Sequence, residues 1–318
     1  NLDVDGGTIK LDGNYPTGSN NVALGDGALD DGSLSGASNT AIGANSLTAN
    51  TSGTLNVAIG HNALASNTTG QQNTAIGRVA LQTNIAGICN TAIGHNALTT
   101  NICCFNTAVG NEALRLNTTG ENNTAVGTSA LAANTTGEKN TAVGKGSMTR
   151  NTTGKCNTGV GVDSFLFNTT GCQNTGVGNS SLAFNTTGEN NVAMGWKALN
   201  ANTTADNNTA VGMSALTANT TGAINTAVGY NTLCSNTTGG SNVAVGYEGL
   251  CTNTEGLYNV GIGRQSLKSN TTASGNTAVG MQSLCKNTTG ASNTAVGCAA
   301  LLCNTTGSSN TALGTGSL

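Results

Sequence analysis

Ten cysteines are the residues of this 318-residue chain best suited to chemistry, because a thiolate is at once a nucleophile, a soft metal ligand and half of a disulfide. Their spacing sorts them. Cys89 with Cys104, Cys156 with Cys172, Cys234 with Cys251, and Cys285 with Cys303 lie 15, 16, 17 and 18 residues apart, leaving Cys103 and Cys298 over. No Cys-x-x-Cys pair exists to suggest zinc or a redox motif. Arg78 stands midway between His61 and His95, a poor arrangement for a metal, so these are read as solvated surface. Asp3, Asp5, Asp12, Asp26, Asp30 and Asp31 form an acidic cluster without the Asp-x-Asp-x-Asp-Gly spacing of a calcium loop. Gly144-Lys-Gly146 lacks a dinucleotide-binding context. No nucleophile, base and orienting group can be assembled, so the expectation is a protein without catalysis, cofactor or metal.

Composition points the same way. With 46 Gly, one Pro, 3% aromatic and 8% charged residues, the chain is far from an ordinary globular enzyme, in which about a quarter of residues are charged. A net charge of -3 with 11 scattered Lys and Arg supplies no basic stripe for nucleic acid. No run of 18 apolar residues is present to span a membrane, and Asn1 opens no signal segment.

The cysteines and histidines are decorations on a repeat. An anchoring Asn recurs at 21, 39, 56, 73, 90, 106, 123, 140, 157, 174, 191, 208, 225, 242, 259, 276, 293 and 310, giving 18 copies of a unit near 17 residues. With that Asn as repeat position 1, one copy is Asn123-Thr-Ala-Val-Gly-Thr-Ser-Ala-Leu-Ala-Ala-Asn-Thr-Thr-Gly-Glu-Lys139. Such a fixed period predicts a solenoid, each repeat being one coil that cannot bury its apolar face alone. The predicted fold is an all-β parallel β-solenoid (β-roll) over 21–318, after a leader at 1–20.

Within a coil, the β-branched residues at positions 2 and 4 predict a strand closed by Gly at position 5, and the Ala-Leu pair at 8 and 9 predicts a second one. The two Gly columns, at 5 and 15, are expected at corners. Position 4 is apolar in all copies and position 9 is Leu in 16, Met148 and Phe165 being the exceptions. These columns predict two facing apolar ladders, and at roughly 4.8 Å per coil a rod on the order of 80 Å long.

Alternation then places position 3 outside, although it is Ala in 15 copies and Gly in three. An exterior column of small residues predicts close packing against another sheet, simplest as a parallel homotrimer. Its face would comprise Ala41, Ala75, Ala108, Ala125, Ala142, Gly159, Gly176, Ala210, Ala227, Ala244, Gly261, Ala278 and Ala295. The alternative is that Ala fits a cramped corner inside one chain. Asn at positions 1 and 12 predicts side-chain amide ladders, the competing reading being glycosylation, since position 12 heads a formal acceptor sequon in 13 coils from Asn50 to Asn304. The four cysteine pairs each fall about one coil apart, within reach of rung-to-rung disulfides. An extracellular setting favours these bridges; otherwise Cys is a small residue substituting in variable positions.

The string Asn-Thr/Val-Ala-Val/Ile-Gly-x-x-Ala/Ser-Leu resembles the head repeats of trimeric autotransporter adhesins, and more closely the Asn-Thr-Ala-Ile-Gly arrays of phage and large-virus tail fibres. Asp5-Gly-Gly-Thr-Ile-Lys-Leu-Asp-Gly-Asn-Tyr-Pro-Thr-Gly18, leading into Asn21-Val-Ala-Leu-Gly25, resembles the start of such arrays in marine phage fibres. The resemblance implies a left-handed β-roll, three chains side by side, serving as the shaft or receptor-reaching part of an attachment fibre on a virion or outside a cell. Two departures stand against it: the period exceeds that of the adhesin heads, and ten cysteines are unexpected in a fibre assembled in a bacterial cytosol. Neither a membrane anchor nor a self-cleaving fibre chaperone follows Leu318, so a fragment, a processed product or something other than such a fibre is expected.

The leading expectation is a structural and adhesive fibre segment that meets host-surface glycans through Asn/Thr-rich turns. A second is an extracellular filament subunit that stacks end to end. A third, ice binding, would use the Thr-Thr hydroxyls at positions 13 and 14, but those sit at a corner where a flat strand is needed.

Overall fold

The computed structural model describes residues 18–318 and divides into two units, the first ending at Cys156 and the second beginning at Asn157. Asp3, Asp5, Asp12 and most of the 1–20 leader lie outside the described residues. The first unit carries eight three-residue strands, β1 (Val22–Leu24) through β8 (Thr141–Val143). The second carries ten, β9 (Thr158–Val160) through β18 (Thr311–Leu313). Within each unit every strand runs parallel to the next in repeat register, as in Thr107↔Thr124↔Thr141 and Val228↔Val245↔Ile262. Each unit is therefore a parallel β-solenoid, and the described residues contain no helix.

The strand forms because two β-branched residues flank one small residue, and Gly at position 5 ends it. Gly127 has a φ of 133°, a conformation closed to residues with a Cβ, and a Cβ there would lie 2.6 Å from the Gly144 carbonyl carbon. Both the corner and the close stacking of coils demand glycine.

The expected second strand is absent; positions 6–11 form consecutive turns. Ser129 and Leu131, at positions 7 and 9, have φ of 56° and 51°, which no β-strand accommodates. A left-handed Leu costs about 1–2 kcal/mol, but Leu131 is wholly buried, a gain of about 1.5–3 kcal/mol, so burial wins and the column stays Leu. The second Gly column also differs from expectation. Gly137 does not adopt positive φ, and the left-handed corner residue is instead Lys139 at position 17, with φ 57°. What demands glycine at position 15 is space, since a Cβ on Gly137 would lie 2.5 Å from the Gly154 carbonyl oxygen. Ala205 and Ala273 fill this place in two coils.

The core is the reverse of the one expected from the strand. Ala125, Ala130 and Leu131 are 0% exposed, whereas Val126 at position 4 is 37% exposed. The whole column offered as an oligomer face, from Ala41 through Gly159, Gly176 and Gly261 to Ala295, lies inside its own chain. Leu from position 9 reaches across the thin interior, leaving the facing strand room for little more than a Cβ. Phe165 makes this visible. It replaces Leu at position 9 and is wholly buried, with Gly159 and Gly176 at position 3 of its own and the following coil. A Cβ on Gly176 would lie 2.5 Å from Phe165 Cε2.

Two columns of buried asparagine complete the interior, as the amide-ladder reading expects. Asn134 Nδ2 donates to Asn117 Oδ1 at 2.7 Å and to the Gly137 carbonyl at 3.0 Å, while Asn134 Oδ1 accepts from Asn151 Nδ2 at 2.8 Å. Asn123 at position 1 donates its backbone N–H to Asn106 Oδ1 at 3.0 Å and its Nδ2 to the same Gly137 carbonyl at 2.8 Å. This carbonyl, a glycine's in most coils, thus joins the two ladders. In the interior coils both amide protons of a position-12 Asn such as Asn134 are used and its side chain is buried, which disfavours a glycan there, while Asn304 of the last sequon is only partly covered.

The coil at 90–105 is one residue short and tests the pattern. The Cys103 carbonyl stands in for that of the missing Gly, accepting from Asn90 and Asn101 at 2.7 and 2.8 Å. The ladder slips there, and buried Asn84 Oδ1 is left without a donor, an omission that typically costs about 1–3 kcal/mol.

Asn134→Ala breaks the ladder on both sides and is expected to destabilise the protein by about 2–4 kcal/mol, read as a lower urea midpoint. Gly176→Ala is expected to cost about 1–3 kcal/mol by overpacking against Phe165. Adding Phe165→Leu should recover most of that loss, and a double-mutant cycle with coupling below about 0.5 kcal/mol would show that the two positions do not share space.

Candidate interaction face

Three columns point outward along the strand side of each coil: Thr or Val at position 2, an aliphatic at position 4, and a variable residue at position 6, just past the Gly corner. The constant columns are half-covered by their own neighbours one coil away. Position 6 is where the units differ.

In the first unit position 6 reads Asp26, Ala44, His61, Arg78, His95, Asn111, Thr128 and Lys145. Arg78 Nη1 lies 2.9 Å from His95 Nε2, and His95 Nδ1 lies 3.1 Å from Asn111 Oδ1. A guanidinium can only donate, so Nε2 accepts and Nδ1–H donates to Asn111. This surface hydrogen-bond chain occupies both ring nitrogens of His95. Among the described residues no three His, Cys, Asp or Glu side chains gather to hold a metal ion.

In the second unit the same column runs Val162, Asn179, Trp196, Met213, Tyr230, Tyr247, Arg264, Met281, Cys298 and Thr315. Trp196, Met213, Tyr230, Tyr247 and Met281 are all exposed. Tyr230 and Tyr247 stack with ring centroids 5.3 Å apart, Arg264 lies over the Tyr247 ring at 5.9 Å, and Lys197 lies over Trp196 at 4.6 Å. Glu248, next along, accepts from Lys268 at 2.7 Å and from Gln265 at 3.1 Å. The Lys268 bond is the larger cause of a Glu248 carboxyl held below its usual range, and the Glu248 charge in turn raises the Tyr247 phenol. Trp, Tyr, Met and Arg are the residue types enriched where proteins grip partners. The column could have been found by stacking the sequence at its own period, since 196, 213, 230, 247, 264 and 281 share one repeat position.

Of the Asn/Thr turns expected to meet ligands, the Asn and the first Thr are engaged internally, while the second Thr, as at Thr119, Thr136 and Thr221, is exposed. Thr135 Oγ1 donates to the Thr152 carbonyl at 3.1 Å, and its equivalents repeat the bond down the column, beneath the buried position-12 amide.

All ten cysteines are free thiols. Cys89 Sγ donates to Gln72 Oε1 at 3.3 Å, while Cys104 Sγ accepts from the Ile88 N–H at 3.3 Å, so these two face different partners. Cys103 donates to Glu121 Oε1 at 2.9 Å, and burial first, then that carboxylate, pushes its thiol up to about 12. Cys156 closes the first unit, and Cys172 in the second donates to the Thr170 carbonyl at 3.2 Å. Burial raises the Cys285 thiol, while Cys303 is exposed. Cys234 and Cys251 alone show a described sulfur–sulfur contact, at 3.0 Å.

A scan against protein-family models finds no match, and no curated protein matches the sequence. No helix among the described residues is long and apolar enough to cross a membrane.

Proposed function

We propose that this chain is a structural and adhesive fibre segment, the shaft or receptor-reaching part of a viral tail fibre or an adhesin-like rod, working at a virion surface or outside a cell. The division of labour within a coil carries this assignment. Positions 1, 3, 8, 9, 12 and 15 are committed to neighbouring coils through the ladders and the core, so sequence variation is confined to outward columns. A body of this kind offers a repetitive binding surface. The Trp196 to Met281 column is its gripping part, and cell-surface glycans suit exposed aromatic rings flanked by Arg264 and Lys197. Repetition adds avidity, because one engaged coil holds the next near its ligand.

Three chains side by side, as the resemblance implies, would meet through outward columns such as positions 2 and 4, since the small-residue column is internal. The decisive measurement is binding of the labelled chain to a cell-surface glycan array and to intact cells. The chain is expected to bind, with the Trp196→Ala/Tyr247→Ala pair weaker by about tenfold or more at unchanged circular dichroism. Absence of binding, or binding indifferent to the pair, refutes the adhesive role.

A second reading, ice binding, gains from one observation. The hydroxyls at position 13 are spent internally, but Thr74, Thr91, Thr107, Thr124 and Thr141 form an unbroken outward column on a strand, beside aliphatic position 4. That places a regular hydroxyl and methyl array on a strand face instead of a corner. Thermal hysteresis abolished by Thr107→Tyr would support this reading, and no hysteresis in the intact chain dismisses it.

A further inference from the structure

Repeat position 10 of four successive coils carries Cys234, Cys251, Lys268 and Cys285. The first two are half-buried, with sulfurs 3.0 Å apart. Their backbones are already fastened, since the Ser235 N–H donates to the Cys251 carbonyl at 3.1 Å. Equivalent residues of adjacent coils stand about 5 Å apart, inside the Cα range of an unstrained disulfide. Of the sequence-suggested pairs whose neighbours are described, neither Cys89 with Cys104 nor Cys285 with Cys303 is so placed.

We propose that Cys234 and Cys251 are a redox site, a dithiol that a small-molecule disulfide such as glutathione disulfide converts into a rung-to-rung staple of the second unit. Cys234 Sγ attacks one sulfur of the oxidant, forming a mixed disulfide and expelling one glutathione thiolate. Cys251 then loses its proton and attacks Cys234 Sγ, expelling the second. Two electrons pass from the protein to the oxidant, and the two thiol protons finish on two glutathione molecules.

The order of attack follows from the surroundings. Donation from the Cys251 S–H is the largest influence on Cys234 and draws its thiol down to about 6, against opposition from burial and the Glu248 carboxylate. Cys251 is pushed up by giving that bond. Of the two sulfurs Cys234 is therefore the one that gives up its proton more readily, which makes it the attacking sulfur and Cys251 the resolving thiol. This inference is independent of the adhesive role, because a staple can form whether or not the outward face binds anything.

The test incubates the folded full chain in glutathione buffers of rising oxidised fraction, alkylates the remaining thiols, and digests with a protease that cuts after Glu248, which lies between the two cysteines. The expected product is a Cys234–Cys251 linked peptide pair about 2 Da lighter than the sum of its reduced peptides, appearing before any other cysteine is modified. Cys251→Ser should trap glutathione on Cys234, and Cys234→Ser should leave Cys251 unmodified under the same conditions. The proposal is overturned if full oxidation gives no such pair, if pairing is no more selective than in denatured protein, or if Cys251 is modified first.

Discussion

A buried primary amide that can be satisfied only by an identical amide one coil away is the constraint on which this protein depends. An asparagine inside a dry core is costly unless its oxygen and both amide protons find partners, and Asn134 finds them in Asn117, Asn151 and Gly137. The partner must sit at the same height in the next coil, so the interaction enforces the register of the whole repeat. The backbone obeys the same rule. In the coil of residues 123–139, the N–H groups of Thr124, Leu131, Ala133 and Thr135 donate forward, to Asn140, Ser147, Thr149 and Thr152, while those of Gly127, Ser129 and Lys139 donate back to the preceding coil. Hydrogen bonding therefore encircles the coil and is not confined to its single three-residue strand.

The rest of the coil follows from making that stacking close. Glycine stands at position 15 because the carbonyl collecting both ladders leaves no room beside it. The places where substitution occurs show what is negotiable. At Ala205 and Ala273 both asparagines still reach the carbonyl, yet of the position 13–15 donors that bond the next coil elsewhere, only those of Thr203 and Thr271 remain. At 90–105 the loss of one residue is tolerated because Cys103 offers its carbonyl instead. The amide acceptors of Gly137 and its equivalents are thus the part the fold keeps, and the tidy turn around them is the part it relinquishes.

Which face of the strand turned inward was decided by volume, not by hydrophobicity. Alternation assigns positions 2 and 4 to one side and position 3 to the other, and reading apolarity alone puts the valines inside. The interior already holds a large apolar residue, usually Leu, and a small one, usually Ala or Ser, from the turn of each coil, and a Val facing them would overfill it. The valines accept a half-covered place in an outward ladder, a mild cost for an apolar residue. The exchange of Leu for Phe165 against Gly159 and Gly176 is the clearest sign that the inner layer is limited by size, and it was present in the sequence as two glycines bracketing one phenylalanine.

By itself the sequence determined the period, the parallel stacking and the asparagine ladders, because identical residues at identical heights dictate what a coil's neighbour must be. It also carried the Trp196 to Met281 column and the Cys234–Cys251 spacing, legible once residues are placed 17 apart. Only the tertiary structure decided that the small-residue column is core, that the Ala-Leu segment turns instead of extending, and that one cysteine pair meets while Cys89 and Cys104 face apart. Those outcomes depend on the width of the interior and on the left-handed residues at positions 7 and 9, and neither local propensity nor alternation encodes how far a side chain must reach across a coil.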